Sequence, residues 1–81
     1  MIKKVTIGFL GCGNVGSGVW RLLEGFASDI AHRAGLTFYV KKVLVRSLDK
    51  KRDIAFPPGV LTADPADVLD DPEIEMVVEF L

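Results

Sequence analysis

The chain is expected to fold as an α/β unit on a mainly parallel sheet. Three observations lead there. The apolar run Val5-Thr6-Ile7 passes directly into a glycine-rich stretch, after which apolar residues recur at helical spacing. A later run, Val43-Leu44-Val45, is continuously apolar, as strands covered on both faces are. A final run, Met76 to Leu81, follows a short helix signal, so strands alternate with helices. In a doubly wound sheet the first four strands then lie in the order 3-2-1-4, with flanking helices.

The first strand ends in Gly8-Phe9-Leu10-Gly11-Cys12-Gly13-Asn14-Val15-Gly16-Ser17-Gly18. A helix from about Asn14 to Ala34 follows, with Val15, Val19, Leu22, Leu23, Phe26 and Ile30 on its apolar face and Gly35 ending it in a left-handed turn. Gly16 and Gly18 are expected at close approaches, whereas the sequence gives no account of Gly25 beyond a packing contact. In Leu36 to Arg46, one long strand is expected, its early part exposed and its phase slipping at Lys41-Lys42, where a bulge fits. Ser47 to Gly59 reads as loop, since Phe56-Pro57-Pro58-Gly59 suits neither sheet nor helix. Val60-Leu61-Thr62 is a short strand. Asp64 then caps a short helix with Pro65 in its first position, ending near Asp70 before Asp71-Pro72-Glu73 breaks it.

A chain of 81 residues has room for one small domain. With 49% hydrophobic residues it is built to fold. No apolar run reaches the ~18 residues a membrane span needs, and Met1-Ile2-Lys3-Lys4 does not open a secretory signal. One cysteine excludes an internal disulfide and fits a reducing cytoplasm. All ten Lys and Arg fall within residues 1–63, whereas residues 64–81 hold seven of the eleven acids and no base. The basic cluster Lys41, Lys42, Arg46, Lys50, Lys51, Arg52 is too short and too poor in aromatics for a nucleic-acid surface. Most of it reads as a solvated face.

Chemistry concentrates in Gly11-x-Gly13-x-x-Gly16. Gly11 allows the tight turn out of the strand, Gly13 lets the backbone close on a pyrophosphate, and Gly16 lets the helix pack against the sheet. Free N–H groups of the first helical turn then face the anion, aided by the positive end of the helix dipole. With a strand before it and a helix after it, the motif reads as dinucleotide binding in a Rossmann fold, of which residues 1–81 make an incomplete first part. Cys12 reads as a small residue in the loop, with no base or second cysteine beside it. His32 caps exposed carbonyls or faces solvent. The acids from Asp64 to Glu79 lack His or Cys companions, so no metal site is expected. Glu79 either marks the exposed side of the sheet or approaches a ligand.

The second strand ends in Arg46-Ser47, where an NAD-binding domain usually carries an acid for the adenine ribose. A guanidinium there can grip a 2′-phosphate with two parallel bonds, so NADP is favoured over NAD. Alternatively, Arg46 points into water and Asp49 serves the ribose of NAD.

The run Ile7 to Val19 resembles the N-terminus of homoserine dehydrogenase. So do Lys42-Val43-Leu44-Val45-Arg46, Leu61-Thr62-Ala63-Asp64-Pro65, and Asp70-Asp71-Pro72-Glu73-Ile74-Glu75-Met76-Val77-Val78-Glu79. The glycine fingerprint alone belongs to many dehydrogenases; its combination with the other segments is far more specific. The resemblance implies an enzyme that interconverts L-aspartate 4-semialdehyde and L-homoserine by hydride transfer, in threonine and methionine biosynthesis. It implies cofactor contacts at Gly11, Cys12, Gly13, Asn14, Val15 and Gly16, with Arg46 and Ser47 near the adenine ribose. It also implies a small-molecule substrate and a homo-oligomer. The family's Gly-Gly turn after the last strand, and the substrate domain with its catalytic lysine and aspartate, are absent from these residues. No catalytic residue is therefore named, and the fragment alone is expected to be inactive. Two other readings stay open: another Rossmann NAD(P) oxidoreductase, or a free-standing NAD(P)-sensing module.

Overall fold

Phe9 and Val43 are shut off from solvent completely, on neighbouring strands of one sheet. A computed structural model describes residues 2–80. In chain order the elements are β1 (Lys3–Leu10), α1 (Gly13–Gly25), α2 (Ala27–Ala34), β2 (Leu36–Leu44), β3 (Leu61–Thr62), α3 (Ala66–Leu69) and β4 (Met76–Glu79). The four strands pair in parallel in the order β3-β2-β1-β4, the expected half of a doubly wound sheet. Ile7, Phe9, Val40, Val43, Val45 and Val60 form the buried core with Cys12 and Trp20.

The phase slip read at Lys41-Lys42 is a bulge. Ile7 pairs with Val40 and Gly8 with Lys42, which leaves Lys41 without a partner on β1. The Lys41 ammonium reaches the turn that leads into β4, 2.6 Å from the Asp71 carboxylate and paired also with Glu73. A side chain from β2 thus ties down the approach to β4, on the far side of β1. The strand itself is shorter than expected, ending at Leu44, although the Val45 N–H still donates to Thr62 O at 2.8 Å.

The single helix expected from Asn14 to Ala34 is two helices. It breaks at Phe26, whose φ of −114° and ψ of 15° are not helical. The Phe26 N–H still donates to Leu22 O, and Phe26 O accepts from Ile30 N–H, so the break is a kink within a continuous hydrogen-bonded path. Gly25 stands immediately before it, and a Cβ there would meet nothing within 4 Å. The packing contact that was the one account of it is therefore absent. Gly18 likewise has open space where close approach was expected.

The apolar face of this helix pair is also displaced from the expected one. Val15, Leu22 and Phe26 are more than half exposed, at 70%, 57% and 54%. The side turned to the sheet carries Gly16, Val19, Trp20 and Leu23, at the same three-to-four-residue spacing. Trp20, absent from the expected face, packs edge-on against Phe56 with ring centroids 4.7 Å apart. Gly35 ends α2 at φ 66°, the left-handed turn expected of it.

The acidic C-terminal third is held by its own carboxylates. Asp64 Oδ1 accepts from the Ala66 N–H at 3.0 Å, capping α3 as expected. Thr62 Oγ1 accepts from the Asp64 N–H and donates to Asp67. β4 ends at Glu79, two residues short of the expected Leu81, which lies outside the described residues.

Candidate functional site

Three strands end level with one another. The Gly11 N–H donates to Leu44 O at 2.9 Å and the Phe80 N–H to Leu10 O at 2.8 Å. Beyond that line β1 must turn into α1 within two residues, and it does so through left-handed glycines, Gly11 at φ 84° and Gly13 at φ 52°. A side chain at Gly13 would project into open space, with no atom within 4 Å of its Cβ. Gly16 is the opposite case. Its missing Cβ would lie 3.2 Å from the Phe80 ring and 3.3 Å from Cys12 Sγ. Phe80 in turn stands edge-on to Phe9, centroids 4.9 Å apart, so the helix rests on an aromatic pair continuous with the core.

The first turn of α1 has amides to offer. Its first ladder bond runs from the Gly16 N–H to Cys12 O, at 2.6 Å. The N–H groups of Gly13, Asn14 and Val15 find no acceptor among the described residues, and all three residues are exposed. Cys12 caps nothing with its side chain. Its thiol is buried, 3.6 Å from the Ser17 hydroxyl, which donates to Gly13 O at 2.6 Å. The cysteine is a small packing residue under the loop, as its surroundings in the sequence implied.

Two depressions meet at this loop. The larger, about 650 Å³, runs from Gly11, Cys12 and Gly13 across the ends of β1 and β2 to Arg46 and Ser47, with Ala63, Pro65 and Phe80 completing its wall. The smaller, about 420 Å³, lies by the first two turns of α1 and takes Asn14, Ser17 and Arg21 as lining. Lys50 and Arg52 border both. Of the eight residues expected to hold a cofactor, five (Gly11, Cys12, Gly13, Arg46 and Ser47) share the larger cleft. Asn14 lines the adjoining recess, Val15 stands exposed on α1, and Gly16 is buried beneath.

Sequence reasoning did not place Arg21, Ala63, Pro65 or Phe80 here. Arg21 was legible in principle, because Asn14, Ser17 and Arg21 lie on one face at helical spacing. Phe80 was not, because the expected strand order does not fix the register of β4 on β1 that brings it under the loop. Asp49 and Glu79 are exposed and line neither depression, and His32 is exposed in the last turn of α2. Among the described residues no three His, Cys, Asp or Glu side chains are grouped as a metal site would require, and no helix is long and apolar enough to cross a membrane.

The loop fits a dinucleotide's pyrophosphate on its own terms. It has a left-handed glycine with space in place of a side chain, three amides at a helix start without a partner among the described residues, and an adjoining wall on which four cations outnumber the Asp53 carboxylate. Comparison with known proteins agrees. The family model described as "Homoserine dehydrogenase, NAD binding domain" matches residues 11–80. Homoserine dehydrogenase of Bacillus subtilis is 40% identical over 80 residues, covering 99% of this chain and 18% of that protein. The enzyme of Synechocystis is 46% identical over 79 residues, covering 95% of this chain and 17% of its own length. The crystal structure of S. aureus homoserine dehydrogenase at pH 7.5 superimposes with a TM-score of 0.88 at 35% identity, over 95% of this chain and 20% of that one. The chain thus spans about a fifth of the length of the relatives it matches.

Proposed function

The chain belongs to the homoserine dehydrogenase family through its NAD-binding domain, and we propose that residues 1–81 are the first part of the cofactor site of such an enzyme. The enzyme interconverts L-aspartate 4-semialdehyde and L-homoserine, moving a hydride to or from the nicotinamide. The single observation that carries this reading is the glycine loop, with its open left-handed Gly13 beside three free amides. In this assignment the Gly13, Asn14 and Val15 amides take the pyrophosphate. Gly11 and Cys12 shape the turn, and Gly16 contributes by letting α1 settle on Phe80, since its own amide is already bonded. A hydride acceptor must be held about 3–3.5 Å from the nicotinamide in aligned geometry. We assign that task, and the catalytic groups, to the substrate domain that the much longer relatives have room for. Residues 1–81 alone are accordingly inactive. The enzyme works in the cytoplasm as a homo-oligomer.

The cofactor is NADP in preference to NAD. Arg46 and Ser47 stand on the cleft wall at the end of β2, Lys50 and Arg52 are beside them, and Asp49 lies off the cleft. A hydrogen bond to a charged partner contributes about 1.5–3 kcal/mol, which is roughly ten- to a hundredfold in affinity. Titration of the intact protein and its Arg46→Ala variant with both cofactors tests this. NADP should bind more tightly than NAD, and the variant should lose most of that advantage while NAD affinity holds. Equal binding of the two cofactors, indifferent to the substitution, overturns the assignment.

A further inference from the structure

The loop that carries Arg46 to the cleft has almost nothing to hold it. From Arg46 to Phe56 no backbone group hydrogen-bonds to another backbone group among the described residues. Three cations, Lys50, Lys51 and Arg52, follow one another there, none in an ion pair among the described residues. Repulsion and chain entropy should spread such a segment over many conformations. At its far end Ile54 and Phe56 pack against the core, Phe56 on Trp20. At its near end the loop closes on one side chain. The Arg52 guanidinium donates through Nη2 to Ser47 O at 2.6 Å and through Nη1 to Lys50 O at 2.9 Å. It satisfies two carbonyls with a rigid fork that no other residue type presents.

We propose that Arg52 is a positioning residue for cofactor choice, closing the 47–52 loop so that Arg46 is held ready for the 2′-phosphate of NADP. This rests on the dinucleotide-binding reading above and goes beyond it by assigning the order of the phosphate-binding wall to a residue that need not touch the phosphate. The fork is the reason for Arg at this position. A lysine keeps the charge but cannot hold two carbonyls in one planar geometry.

The test uses two probes of the adenosine half of the cofactor, adenosine 2′,5′-diphosphate and adenosine 5′-diphosphate, titrated calorimetrically into the intact protein. Variants are Arg52→Lys, Arg52→Gln, Arg46→Ala and the double variant Arg46→Ala/Arg52→Lys. Both Arg52 variants should lose about tenfold in affinity for the 2′,5′-diphosphate, and less than about twofold for the 5′-diphosphate. On the Arg46→Ala background the further loss from Arg52→Lys should vanish, because the two residues act as one unit. Full affinity in Arg52→Lys would make Arg52 a plain charge and overturn the proposal. So would an undiminished loss on the Arg46→Ala background, which would mean direct contact with the phosphate. Equal loss of both probes would mean general collapse of the site and also overturn it. Failure of the unmodified protein to bind either probe would instead refute the dinucleotide reading, and the positioning role with it.

Discussion

The basic and acidic parts of this chain use their charges in opposite ways. Around the glycine loop, Arg46, Lys50, Lys51 and Arg52 make no ion pair among the described residues, and three helix amides are unpartnered. Around α3 and the turn into β4, Asp64, Asp67, Asp71 and Glu73 are all engaged with the protein itself, as cap, as partner of Thr62, or in the Lys41 network. One region leaves its charges out of ion pairs, with Arg52 alone turned inward on its own loop's carbonyls; the other uses them to fix its backbone. The two can be disturbed separately, even though α3 and the glycine loop both adjoin β1.

Two glycine-to-alanine changes five residues apart should divide this difference. At Gly8 a Cβ would lie 2.7 Å from Val68 Cγ1 and 3.1 Å from Ile74 Cδ1, and Val68 is only 1% exposed. Val68 has no open space to retreat into, so Gly8→Ala should cost about 1–3 kcal/mol of stability, by forcing α3 off the sheet. Chemical denaturation measures this, and cofactor affinity of the folded protein should change little. Gly13→Ala should do the reverse. It meets no atom, so its stability cost is limited to about 1 kcal/mol for the left-handed backbone. In the pyrophosphate assignment proposed above its methyl would stand in the ligand's path, so affinity for both cofactors should drop about tenfold or more. If Gly8→Ala weakened binding and Gly13→Ala did not, the division drawn here would be wrong.

The smallest expected effect concerns the Lys41 network. Hydrogen bonding from the Lys41 ammonium, and secondarily from the Glu73 N–H, holds the Asp71 carboxyl below its ordinary range. The same contacts, Asp71 first and Glu73 second, raise Lys41 above its ordinary value. The Asp71 contribution is therefore complete above the carboxylate range of an unfolded chain, about pH 4, and is lost as pH falls through the lower folded value. The Lys41 contribution is complete below the ordinary lysine value of 10.5 and is lost as pH rises through the raised one. Asp71→Asn should lower the melting temperature slightly at pH 7, and the gap from the unmodified protein should narrow at pH 3. A gap independent of pH would show that the pair does not hold the turn.

The fold was legible where one local rule decided the outcome. The tight turn at Gly11, the left-handed Gly35, the bulge at Lys41 and the Asp64 cap each follow from the backbone needs of a few neighbouring residues. The helix was misjudged where an arc of the surface had to be chosen. Apolar residues surround α1 widely enough that Val15, Leu22 and Phe26 extend the correctly expected pair Val19 and Leu23 as regularly as Gly16 and Trp20 do. Only contact with the sheet selects between them, and the selected stripe contains the glycine that allows closest approach.

By itself, then, the sequence determined the order of the strands, the turn chemistry and the place of the glycine loop proposed above to take the phosphates. These depend on backbone conformations that particular residue types permit within a short stretch. Tertiary structure alone decided that Gly8 must be bare to seat Val68, that Phe80 underlies Gly16, and that Arg52 closes the loop beside Arg46. Gly8 and Val68, and Gly16 and Phe80, lie about sixty residues apart in the chain and meet only once β4 and α3 have packed on β1. Arg52 is close to its partners in sequence, but a flexible charged loop has no periodicity from which its carbonyl contacts could be read.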